Sequence, residues 1–129
     1  MRQLFQRRER GQELVEYAIL LPIFLLIVMG IFDMGRAVYY YSALQNSVRE
    51  GARYGIIHPD DIPGIETVVQ NKAVGLDISA LTVTTTYPDS DTIQVRATFQ
   101  FQIITPIIGA FFGSNEIMLG GQSSMRIES

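Results

Sequence analysis

The sequence predicts an α+β fold: a long N-terminal helix, transmembrane in its first half and amphipathic in its second, packs on a small antiparallel β-sheet head with one additional short helix. Three observations point this way. Fifteen consecutive uncharged residues run from Ala18 to Phe32. Apolar residues then recur every three or four positions as far as Gly55, the period of an amphipathic helix. After Asp77 the period shortens to two, the alternation of a half-buried strand. The expected organisation is a basic leader over residues 1–11, a helix over 12–55 that crosses the membrane and continues outside it, and a head over 56–129. With the first part of a 129-residue chain taken by the helix, about 75 residues remain for the head. A core of that size is marginal alone, so part of its stability is expected from the helix or from neighbouring subunits.

The leader and the span come first. Up to Gly11, Arg2, Arg7, Arg8 and Arg10 face Glu9 alone, a balance of +3, which leaves −6 for the remainder of a chain whose net charge is −3. A basic flank before an apolar run keeps the N-terminus cytoplasmic and sends the following chain outside. Those arginines suit topology and lipid headgroup contact better than nucleic acid, and no nucleic-acid partner is expected. Extended to Leu14 and Met34, the apolar run is about 21 residues, or roughly 31 Å of helix, enough to cross a bilayer. Because the helical pattern continues past it, the segment is an anchor rather than an excised secretory signal. Pro22 removes one backbone donor, a point where a membrane helix can bend. Asp33 and Arg36, three apart and followed by Tyr39, Tyr40 and Tyr41, form the expected ion pair of the outer membrane interface, where water is available.

Beyond the interface, Val38, Tyr41, Leu44, Val48, Ala52 and Gly55 mark the face to be buried, and Gly55 followed by His58-Pro59 is expected to end the helix. The turn HPDDIPG leads to a second helix with the stripe Ile65, Val68, Val69, Ala73 and Leu76. Asp60 or Asp61 is its N-cap, and Gly75 lies near its end. A hairpin follows: Leu81, Val83, Thr85 and Tyr87 in one strand, a turn over Pro88 to Asp91, then Ile93, Val95, Ala97, Phe99, Phe101 and Ile103 in the next. A third strand is expected from Glu116 to Glu128, weakened or bulged at Gly120-Gly121. A sheet with one apolar face needs a cover, which the outer half of the long helix supplies. Between the last two strands lies PIIGAFFG, Pro106 to Gly113. Ile107, Ile108, Phe111 and Phe112 make it too apolar for a solvated loop, so it either folds under the sheet as core or contacts a neighbouring subunit or the membrane surface.

Little here points to catalysis. Without cysteine, neither a disulfide scaffold nor a Cys-ligated metal site is available. His58, the single histidine, stands in a turn with no Ser, Cys or ligand cluster beside it. Asp60, Asp61, Asp89 and Asp91 are caps and turn residues, too sparse for a calcium loop. Gly51 and Gly55 spell GxxxG, but outside the membrane that spacing signifies close packing on the sheet. No enzymatic activity, metal or cofactor is expected.

The most specific segment is Gly11 to Tyr17, GQELVEY. Gly11 offers a peptidase a cleavage point that a Cβ would obstruct, and Glu16 sets a carboxylate at the membrane edge, where a charge needs a partner. The segment resembles the processing site of type IV pilin-like proteins, most closely the Tad (Flp) branch, whose subunits are cut after Gly and carry Glu then Tyr as the fifth and sixth residues of the mature chain. Counted from Gln12, these are Glu16 and Tyr17. The longer run to Gly55 resembles the TadE-like family, with its Val-Glu-aromatic at Val15 to Tyr17, a Pro at Pro22, the acid-Gly-Arg cluster of Asp33, Gly35 and Arg36, and Arg-Glu-Gly-Ala-Arg at Arg49 to Arg53. Major pilins of this branch are much shorter chains, so the added head implies a minor pilin or pseudopilin.

The resemblance implies a bacterial inner-membrane protein, single-pass, N-terminus cytoplasmic and C-terminus extracytoplasmic, reaching the pilus or cell surface after assembly. It implies a membrane aspartic prepilin peptidase cutting between Gly11 and Gln12. It also implies a pilus assembly platform and ATPase as partners, and other pilin subunits in a homo- or hetero-oligomeric filament. Glu16 is then the expected assembly residue, paired with the new amine of Gln12 on its own chain or the next. Two alternatives remain at this point: a main filament subunit, and an uncleaved membrane-anchored binding protein.

Overall fold

A computed structural model describes residues 2–128, with side chains from Gly11 onward. The side chains of Arg2 to Arg10 in the basic leader, and Ser129, lie outside the described residues. One helix, α1 (Arg2–Ile57), runs through leader, span and head without a break, and Pro22 lies inside it. Its end falls at Ile57 rather than near Gly55. His58 precedes Pro59, and the proline ring drives the preceding residue out of the helical region. Gly55 itself remains helical and buried.

The head follows the expected order with three differences. Helix α2 (Ile62–Lys72) is capped by Asp61, whose carboxylate accepts from the Gly64 amide at 3.0 Å, and a short 3-10 turn (Ile78–Ala80) is capped by Asp77. Strands β1 (Leu81–Asp89), β2 (Thr92–Gln102) and β3 (Glu116–Arg126) form one antiparallel sheet in that order. The first difference is an irregularity of β1 between Thr86 and Asp89, around Pro88, which has no amide to give the ladder. The second is that no bulge occurs at Gly120-Gly121: β3 pairs with β2 in unbroken register from Glu116 to Arg126. Gly121 is small for another reason. It lies under α1, where an added Cβ would come 3.3 Å from the Leu44 carbonyl carbon. The third is a second short helix, α3 (Pro106–Phe112), where an apolar connection was expected.

Burial follows from these placements. Ile93, Val95, Ala97, Phe99 and Phe101 alternate onto one face of β2 and meet Leu44, Val48 and Ala52 of α1 and Ile65 and Val69 of α2, all buried. Gly51 and Gly55 let the three elements close together, since a Cβ at Gly51 would collide with Val69 and one at Gly55 with Ile93. Val38 and Tyr41, expected on the buried face, are exposed. Tyr40 takes that place instead, edge-on to Phe99 and Phe101 at centroid distances of 5.3 and 5.8 Å. The aromatic pair at the end of β2 thus sets the phase of the lower part of the buried stripe.

The direction of β2 decides what meets the span. Ile93 lies against Gly55, whereas the Gln102 carbonyl accepts from Arg36 at 3.5 Å. So β2 descends along α1 toward the apolar segment, and the β2–β3 connection carrying α3 lies at the membrane-proximal end. The β1–β2 turn lies at the opposite end, where the Ile127 amide donates to Asp91 and that of Glu128 to Ile56.

Candidate functional site

Gly11, Gln12, Glu16 and Tyr17 all lie exposed on α1. Among the described residues a Cβ at Gly11 would meet nothing within 4 Å, and the peptide bond that follows lies within α1. Gln12 and Glu16, four residues apart, share one helix face, and among the described residues Glu16 makes no ion pair. Around them Leu14, Tyr17, Ile19 and Phe24 project outward, Tyr17 with 71% of its surface exposed. Every residue from Gly11 to Leu25 is exposed. The length and apolar composition of this half of α1 suffice to cross a membrane.

At the upper end of the span the chain builds a polar junction. Asp33 is only 5% exposed, so the water expected around the Asp33–Arg36 pair is absent from the carboxylate. The pair itself forms, at 3.2 Å. Asp33 Oδ2 accepts from the Thr105 amide and from Thr105 Oγ1, both at 2.7 Å. The Ile104 amide donates to both carboxylate oxygens, at 3.0 and 3.1 Å. Arg36 spreads over the Phe101 ring, its Cζ 5.1 Å from the centroid. Charge-assisted bonds of this kind, in place of water, clasp the end of β2 to the helix. Ile104 and Thr105 stand 71 and 72 residues from Asp33 in sequence. The one hint of them is the acid itself, which at the edge of an apolar span needs donors.

The segment PIIGAFFG divides its residues. Ile108 packs on the core and Gly109 is buried, whereas Ile107, Phe111 and Phe112 are 59%, 85% and 63% exposed. At the opposite end of the head, the Tyr54 hydroxyl donates to Asp61 at 2.8 Å, and the exposed His58 ring stacks on Tyr54 with centroids 4.7 Å apart. That hydroxyl, with the Gly64 amide, holds the Asp61 carboxyl below its ordinary range, and the carboxylate in turn raises the Tyr54 phenol. Among the described residues no group of three potential metal ligands comes together.

Residues 11–53 match the model of a family described as TadE-like protein. No curated protein and no solved structure matches the chain.

Proposed function

We propose, on the premise of that TadE-like segment, that this Tad pilus-associated, pilin-like chain is a minor pilin or pseudopilin, cut between Gly11 and Gln12 and then incorporated into an extracytoplasmic filament. One observation supports the reading above the rest: the matched stretch coincides with an uninterrupted helix whose apolar half is exposed, while its second half is buried in a small head. Such a helix can exchange lipid for neighbouring pilin helices with little hydrophobic penalty, because both surroundings are apolar. The role is structural rather than catalytic.

In this reading a prepilin peptidase reaches Gly11 from the cytoplasmic side and frees the amine of Gln12. An assembly ATPase and its inner-membrane platform then move the subunit outward. Glu16 starts the span about one turn beyond Gln12. An unpaired carboxylate in the apolar zone costs about 2.5 kcal/mol or more, which biases an incoming subunit toward the axial register that brings Glu16 to an amine. Intact-mass measurement on protein extracted from its native membrane tests the proposal. Loss of Met1 to Gly11 is expected; an intact leader on a fully functional protein favours an uncleaved, membrane-anchored binding protein instead.

A further inference from the structure

We propose that α3 is a second membrane-contact element, lying in the outer boundary of the bilayer with Ile107, Phe111 and Phe112 among the lipid acyl chains. The inference rests on α1 being the membrane span. It starts from height along that helix. Asp33 binds the backbone at Ile104 and Thr105, immediately before α3. From there α3 turns back along the span, and a Cβ built on Gly30 would lie 3.5 Å from Ile108 Cδ1. Gly30 is inside the apolar run, one turn below Asp33. The exposed face of α3 is therefore level with Ile31 and Phe32, which are themselves exposed, and continues their apolar surface sideways.

Composition and hydrogen bonding agree with that environment. No charged residue occurs between Arg96 and Glu116, so the excursion carries no ion into lipid. The backbone leading into α3 is largely provided for internally. Asp33 accepts from Ile104 and Thr105, the Ile103 amide donates to the Asn115 carbonyl at 2.8 Å, and the Gly109 amide donates to Thr105. Backbone at membrane depth is tolerated only when so satisfied. Ser114 and Asn115 follow α3 as the polar flank at the headgroups, and the Asp33 carboxylate at the boundary is paired with Arg36 and hydrogen-bonded by Ile104 and Thr105. Water would have served a solvated loop without this arrangement.

The absence of cysteine permits a direct test. Single variants Phe111→Cys, Phe112→Cys, Phe24→Cys and Ser90→Cys of the full chain, spin-labelled, are reconstituted in phosphatidylethanolamine/phosphatidylglycerol vesicles. Accessibility to oxygen and to a water-soluble relaxant is then compared. Labels at 111 and 112 are expected to favour oxygen several-fold over the label at 90, in the manner of an outer-boundary site shallower than 24. A label at 111 as open to the aqueous relaxant as that at 90, with 24 still in lipid, overturns the inference and leaves the span reading intact. Shielding of 111 and 112 from both reagents means that a second protein surface covers α3 and likewise overturns it. An aqueous label at 24 removes the span and the inference together.

Discussion

Asp61 caps α2 and accepts the Tyr54 hydroxyl, and both contacts favour its charged form. A carboxyl whose folded pKa is depressed contributes stability above its unfolded value, near 3.9, and loses that contribution as pH falls through the lower folded value. Thermal unfolding of the detergent-solubilised chain, followed by circular dichroism, should therefore show a head weakened below about pH 4. Asp61→Asn, which keeps a competent N-cap, should be less stable than the parent at pH 7, by a margin that shrinks as pH falls toward 3. A constant difference across that range contradicts the assignment. In the proposed function Glu16 serves assembly rather than folding. Glu16→Gln should insert and be cut after Gly11, yet fail to enter filaments; normal piliation by the variant means that Glu16 merely reaches the headgroups. The Asp61 cap was legible in sequence because its signal is local, an acid before an apolar stripe. The surroundings of Asp33 were not, because its donors arrive through the tertiary fold from 71 and 72 residues away.

At the level of elements, small residues set how closely α1, α2 and the sheet approach. Gly55→Ala should destabilise the head by about 1–3 kcal/mol, since the added methyl must displace the buried side chains of Ile93 and Ile65. Gly30→Ala, at ordinary contact distance from Ile108, should change denaturant midpoints little; equal effects from the two would show that helix propensity rather than packing governs both. The strict alternation of β2 from Ile93 to Phe101 made that strand readable, because a period of two over nine residues has no helical counterpart. The seven residues of α3 make two turns, too few for a period to declare itself. The exposure of Val38 and Tyr41 has a similar origin. A spacing of three or four fits two neighbouring helix faces equally, and only the rings of Phe99 and Phe101, distant in sequence, choose Tyr40.

For the whole molecule, the charge asymmetry about the span predicts that the head lies outside the cytoplasm. A C-terminal reporter active only in the cytoplasm should be silent, and a bright one would overturn both orientation and filament role. The long apolar helix was legible because hydrophobicity is a property of sequence alone. The descent of β2 toward the membrane was not, because strand direction follows from the contacts of Gly55 and Arg36 at opposite ends of the head. The unbroken course of α1 from Arg2 to Ile57 also has a mechanical consequence. Apart from the donor missing at Pro22, span and head share one continuous hydrogen-bonded helix, which transmits torque. A rotation of the head about the axis is thus carried along the helix toward Glu16. In the proposed orientation, a partner that grips the sheet outside the membrane would thereby steer the compass bearing of a carboxylate at the far side of the bilayer.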